Sequence, residues 1–183
     1  MGMLQALPRG FIETDDVLVE RARAGDEVAF ARLVDLHSRD AVAAATGLLG
    51  SRDEAEEAVQ ETFCRAWRKL ATLQTASKFR VWVTGILYRI CCDVLRRRVR
   101  TKKVFGALAS ATPAADGGAA AAVVDEAMEL PEEYRGPIVL FYLQEMSVAE
   151  LAETLGISED SAKVRLHRAR KMLRERLERK GLR

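Results

Sequence analysis

Residues 147–170, SVAELAETLGISEDSAKVRLHRAR, decide the fold, because every boundary in the stretch is marked by a residue with a local physical role. Ser147 and Glu150 form an S-x-x-E capping box, which starts a helix by satisfying backbone donors that would otherwise have no partner. Leu151, Ala152 and Leu155 share one side of that helix, and Gly156 supplies a sharp turn where a side chain would clash. Ser158 caps a second helix beginning at Glu159. At about 100° per residue, Ala162, Leu166, Ala169, Leu173 and Leu177 fall on one apolar face. Lys163, Val164, His167, Arg168 and Lys171 fall on the other. A helix packed by one side and cationic on the other suits entry into a DNA major groove. A charge run alone would read as a solvated surface; the box, the glycine turn and the basic stripe together point to a DNA-binding helix-turn-helix.

The rest of the chain extends this all-α reading. Its 183 residues are 49% hydrophobic and 31% charged. That balance is enough for a real core and too polar for a membrane protein. The weakly polar run Ala41–Gly50 is short. A membrane span needs roughly 20 residues, so no membrane insertion is expected. No basic n-region precedes Asp15 and Asp16, and no signal peptide is expected. Cys64, Cys91 and Cys92 are odd in number and lack C-x-x-C spacing, so neither a disulfide scaffold nor a metal site is expected. Reduced thiols in the cytoplasm fit that usage.

Capping and periodicity place the N-terminal helices. One covers roughly 15–24, and another spans about 26–48 from Asp26, with Ala29, Phe30, Leu33 and Val34 inward. Ser51 and Glu54 make a second capping box, opening a helix to about Lys69. Its buried stripe is Ala55, Val59, Phe63, Ala66, Trp67 and Leu70. Its exposed side presents Asp53, Glu56, Glu57, Gln60 and Glu61. After a loop near Leu73–Lys78, a helix from about Arg80 to Arg98 buries Val83, Ile86, Leu87, Ile90, Cys91, Val94 and Leu95. Its other face shows Trp82, Gly85, Tyr88, Arg89, Cys92 and Arg96, aromatics beside arginines as a single-strand stacking surface requires. Trp82 taken alone reads as a core residue.

Charge is segregated although the net is only +2. Arg89, Arg96, Arg97, Arg98, Arg100, Lys102 and Lys103 crowd one segment against Asp93, and the chain after Lys163 is equally basic. The segment 53–61 reverses the sign. Two basic elements and an acidic one imply a polyanion on one side and a basic protein partner on the other. Between the two helical blocks lies 106–122, GALASATPAADGGAAAA, whose Pro113 and Gly117–Gly118 argue for a flexible linker. The division is 1–105, 106–122 and 123–183. Pro137, after Gly136, is expected to kink or end the helix it sits in.

DEAEEAVQETFCRAW (53–67), FRVWVTGILYRICCDVLRR (79–97) and LPEEYR with SVAELAETLGISEDSAKVRLHRARKMLRERL (130–177) resemble bacterial RNA polymerase sigma factors of the extracytoplasmic-function type within the sigma-70 family. The resemblance covers nearly the whole chain outside its first ten residues or so and the linker. It implies two small helical domains, region 2-like and region 4-like, in a factor that binds core RNA polymerase and directs promoter-specific initiation for a stress or envelope-response regulon. The acidic face (Asp53, Glu56, Glu57, Gln60, Glu61) would dock on the β′ clamp, and the second domain would reach the β flap. Lys78, Arg80, Trp82, Tyr88, Arg89, Arg96 and Arg97 would read the minus-ten element. Lys163, Val164, Arg165, His167, Arg168 and Lys171 would read the minus-thirty-five element. An anti-sigma factor is a further implied partner.

The chain departs from the family pattern in two reading positions. Family members usually show Ile-Ala-x-Asn where this sequence has Ile86-Leu87-Tyr88-Arg89, and Val164 stands for a usual Ser. No catalytic constellation, cofactor or small-molecule substrate is expected: His37 and His167 lack a nucleophile partner by motif, and no P-loop is present. Two rival classes stay open on the residues alone. A stand-alone helix-turn-helix regulator leaves the acidic helix unexplained, and a helical adaptor treats both basic helices as solvated surface.

Overall fold

The computed structural model describes residues 13–105 and 126–181. Its helices are α1 (Asp15–Arg23), α2 (Glu27–Leu49), α3 (Arg52–Lys69), α4 (Phe79–Phe105), α5 (Glu132–Leu143), α6 (Val148–Leu155) and α7 (Glu159–Arg179). Two single 3-10 turns, Leu70–Thr72 and Ala76–Lys78, carry the chain from α3 to α4. No strand occurs among the described residues. The linker expected at 106–122 lies outside them.

The helix boundaries follow the caps read from the sequence. The Asp26 carboxylate accepts from the Ala29 N–H at 3.0 Å, and Ser51 Oγ accepts from the Glu54 N–H. Gly50 closes α2 in the left-handed conformation at φ 72°, which a glycine adopts without steric cost. At α6 both halves of the capping box are made, Ser147 Oγ with Glu150 N and Glu150 Oε2 with Ser147 N. Burial opposes the Glu150 charge, but those Ser147 bonds outweigh it and hold its carboxyl below the ordinary value.

Pro137 does not end its helix: α5 runs through it. It sits in the second turn, where the carbonyl left without an N–H is that of Glu133. Glu133 lies in the exposed first turn, so solvent can satisfy that carbonyl.

The N-terminal core is formed by Leu18, Val19, Phe30, Leu33, Leu49, Phe63, Phe79, Leu87 and Ile90, contributed by α1 to α4. Trp67, expected in the buried stripe of α3, is 37% exposed and leans on Phe30 with ring centroids 4.8 Å apart. Trp82 packs against the core beside Phe79, as its lone reading implied. Arg98 ties α4 to the α2–α3 corner, donating to the Leu49 carbonyl at 2.8 Å and to Glu54 at 3.2 Å.

The second block packs against the first. Val139 of α5 enters the N-terminal core, and Val81 of α4 lies in a cluster with Leu140, Met146, Leu151, Ala152 and Ala162. A third cluster, Ala127, Leu130, Ile138, Leu166, Ala169 and Leu173, seats α7 on α5. Its edge is fastened by Glu126, 2% exposed, which is paired to Arg176 at 3.0 Å and also to Lys180.

Candidate polymerase and promoter interfaces

The acidic face is an outcome of α3 packing. Ala55, Ala58, Val59, Thr62, Phe63 and Ala66 turn inward. Helical spacing then leaves Asp53, Glu56, Glu57 and Gln60 exposed, with Glu61 half-exposed. Arg52 pairs with Glu56 at 2.9 Å and Arg65 with Glu61 at 2.6 Å, both one turn away on the same helix. Such exposed pairs are weak and release their carboxylates readily to another cation. Asp53 and Glu57 stay in solvent beside them, so a basic surface meets an acidic ridge on a rigid support.

On α4 the residues assigned to the minus-ten element divide into two sets. Lys78, Arg89, Arg96 and Arg97 are exposed. Arg80, Trp82 and Tyr88 are half-buried. The Arg80 guanidinium donates to the backbone carbonyl of Gln144, and the Tyr88 ring lies under Gly136. Gly85 and Cys92, expected on the open face, are buried. For Cys92 the physical reason is the second block, whose α5 lies over this strip of α4 where an isolated helical wheel cannot register it. Gly85 instead lines a cleft, with nothing within 4 Å of an added Cβ. Burial raises the Tyr88 hydroxyl above its ordinary value, with Cys92 and Glu132 adding to the rise and Arg165 opposing it. Burial likewise pushes the Cys91 thiol up to about 12. Between the 72–75 loop, α4 and α6 a cleft remains, lined by Gln74, Lys78, Trp82, Arg89 and Glu153 among others.

Helix α7 presents its cations as the periodicity implied. Lys163, Val164, His167, Arg168 and Lys171 are exposed, and Arg165 is half-buried. Val164 is 49% exposed, an apolar contact point with no hydrogen-bonding group. Lys163 leans back to Asp160 at 3.2 Å and Lys171 to Glu175 at 4.0 Å. Both pairs are exposed and weak, so either ammonium can turn to another anion. Arg170 is fixed instead: its Nε donates to the Tyr142 hydroxyl at 2.9 Å, and its guanidinium lies 5.0 Å from the Phe141 ring centroid. That placement adds a cation–π attraction to the hydrogen bond.

Sequence reasoning missed Gln144, Arg135 and Tyr142, which join α5 to other elements. Gln144 is 5% exposed; its amide nitrogen donates to the Asp40 carbonyl at 2.8 Å, and its Oε1 lies 3.1 Å from the Thr84 hydroxyl. Arg135 donates to the Leu48 carbonyl at 3.0 Å. A polar residue at a helix end carries no sequence signal for such distant partners.

An acidic helix, a half-open aromatic and basic helix, and a cationic helix-turn-helix on one chain define a transcription-initiation subunit. Family models agree: Sigma-70 region 2 matches residues 33–101 and Sigma-70 region 4 matches 121–173. The chain is 30% identical to the ECF RNA polymerase sigma factor SigW of Bacillus subtilis, covering 87% of this chain and 94% of that protein. Among solved structures it is similar to CnrH in complex with the cytosolic domain of CnrY, with TM-score 0.71 and 27% identity over 91% of this chain and 98% of that one. Its fold is shared with Bartonella quintana RpoE, solved with the anti-sigma factor NepR, at TM-score 0.70 and 24% identity over 81% and 96%. The chain belongs to the ECF sigma factors of RNA polymerase, the family that directs promoter-specific initiation.

Proposed function

We propose that the face Asp53, Glu56, Glu57, Gln60 and Glu61 docks on the β′ clamp of core RNA polymerase. The exposure of this acidic ridge opposite a buried α3 stripe carries the reading. Lys78, Arg80, Trp82, Tyr88, Arg89, Arg96 and Arg97 read and hold the opened minus-ten strand, stacking bases on aromatics and phosphates on cations. Lys163, Val164, Arg165, His167, Arg168 and Lys171 enter the major groove of the minus-thirty-five element, while the second domain meets the β flap. Arg89 replaces the usual Asn with a cation, so its contact to the strand is a phosphate or guanine contact rather than an amide one. The chain itself performs no catalysis; the polymerase supplies the chemistry, in the cytoplasm. The regulon is a stress or envelope response, the use that the family name suggests. An anti-sigma factor is the remaining partner: CnrH was solved with the cytosolic domain of CnrY.

Core polymerase with this chain, on a randomised promoter library, should initiate at a defined pair of elements. Reversing Glu56 and Glu57 to Lys should weaken assembly at least tenfold and leave the fold unchanged, since exposed substitutions shift stability by less than about 0.5 kcal/mol. Equal core affinity for the double reversal overturns the docking face.

A further inference from the structure

Packing does not explain Tyr142. It lies near the end of α5, is 53% exposed and belongs to none of the three apolar clusters, although its neighbour Phe141 packs against two of them. What Tyr142 touches is Arg170 of α7. The Arg170 Nε donates to its hydroxyl at 2.9 Å, and the guanidinium carbon stands 5.5 Å from its ring centroid and 5.0 Å from that of Phe141. The two rings meet edge-on with centroids 5.2 Å apart, so they form a corner around the guanidinium. The seating of α7 on α5 does not need this contact, because Leu130, Ile138, Leu166, Ala169 and Leu173 already close that boundary.

The seat of Arg170 is neutral. Lys163, Lys171, Arg176 and Lys180 each face a carboxylate, whereas Arg170 makes no ion pair among the described residues. Its hydrogen bond to Tyr142 uses Nε alone, leaving both Nη groups to donate elsewhere. Spacings of four, three and four residues put Lys163, His167, Arg170 and Arg174 in one row. That row edges the face assigned to the groove. At the helical rise per residue, Arg170 stands about 10 Å beyond Lys163, past the N-terminal turns that reach base edges. A cation at that place meets the sugar-phosphate wall of the groove.

We propose that the Tyr142–Phe141 corner holds Arg170 ready as a clamp for one backbone phosphate beside the minus-thirty-five element, with Tyr142 its positioning residue. The clamp rests on the placement of α7 in the major groove. A guanidinium suits this ligand, since its planar fork matches the oxygens of a phosphate. A surface arginine gives up rotamer freedom when it binds; one already stacked gives up less, and the difference appears as affinity. Tyr142 adds no charge, so it sets how well the cation is placed and not how many counterions the complex releases. Arg170 therefore governs the salt dependence, and Tyr142 governs affinity at a fixed salt dependence.

Holoenzymes carrying each variant, titrated at several salt concentrations with a promoter duplex selected from the randomised library and its single-base minus-thirty-five variants, test the clamp. Arg170→Ala should weaken binding about tenfold, alike for every base variant, and lower the slope of log affinity against log salt by about 1. Tyr142→Ala should weaken binding about threefold with the slope unchanged. Tyr142→Phe keeps the ring and should recover part of that loss. The double variant should bind as Arg170→Ala does, because Tyr142 acts through Arg170. Losses that multiply in the double variant overturn the positioning role and leave Tyr142 a structural one. A preference relaxed at one base pair by Arg170→Ala makes Arg170 a base reader and overturns the phosphate assignment. Lys163→Ala and Arg168→Ala in the same titrations test the groove reading itself. If they weaken binding while Arg170→Ala changes neither affinity nor slope, the clamp alone falls. If none of the three has an effect, α7 does not enter the groove and both readings fall.

Discussion

Glu126 shows how a buried charge is tolerated. Its carboxylate is 2% exposed, yet Lys180 and Arg176 both reach it, and the Lys180 bond, joined by Arg176, holds its carboxyl below the ordinary value despite burial. A carboxyl depressed in the folded state contributes stability that is present above its unfolded value, near 4.5. That contribution is lost as pH falls through the lower folded value. Glu126→Gln should therefore destabilise the chain at neutral pH by about 1–2 kcal/mol, the worth of hydrogen bonds to charged groups reduced by the exposure of Arg176 and Lys180. The gap to the parent should shrink on acidification below about pH 4.5. Thermal melts of both proteins from neutral to strongly acidic pH check this; a gap independent of pH would remove the ionic role. No local pattern in the sequence marks Glu126, because its basic partners lie 50 and more residues away. Gln144 is illegible for the same reason, whereas Glu56 and Lys163 are legible because exposure follows from the wheel of their own helix.

Caps and periods carry most of the information about individual helices. The Ser51 and Asp26 caps, the capping box at Ser147 and the left-handed Gly156 are readable because each acts within a turn of its own helix. The box expected at Ser51 is only half made, the Glu54 carboxylate pairing with Arg98 instead. Two positions depart from a simple reading of their helices. Trp67 falls out of the buried stripe because its outer edge stays open beyond the Phe30 contact, and Pro137 stays inside α5 because its lost bond falls in a solvated first turn. Gly156 gives the sharpest local test. It holds φ +68° with no atom within 4 Å of an added Cβ, so an alanine there meets no clash and only the backbone cost. Gly156→Ala should cost about 1–2 kcal/mol, the left-handed penalty for a residue with a Cβ, measured by urea unfolding. A smaller loss would mean that the α6–α7 turn relaxes to another geometry. Gly156→Asn should recover part of the loss, since asparagine visits that region more readily.

Across the folded chain, the two basic surfaces and the acidic one read from the sequence fall on different helices: α3 acidic, α4 and α7 basic. How the blocks meet is not legible, because Val81, Val139 and Gly136 are small or apolar residues that look the same in a private core as in a shared one. The distribution of charge on α7 sets a further prediction. Lys163, His167 and Arg168 point away from the Ala162, Leu166 and Ala169 stripe, while Arg174 is exposed further along the helix. Groove-facing groups carry base information and flanking ones neutralise phosphate. In the holoenzyme, Arg174→Ala should weaken binding to all minus-thirty-five variants alike and lower the slope of log affinity against log salt by about 1. Arg168→Ala should cost about 1–3 kcal/mol at its preferred base pair and relax the preference there, because a guanidinium donates twice to one guanine edge. Binding titrations at several salt concentrations on a set of single-base promoter variants distinguish the two. If Arg168→Ala lowers every variant equally and shifts the salt slope as Arg174→Ala does, Arg168 is a phosphate clamp, and base reading falls to Lys163 and His167.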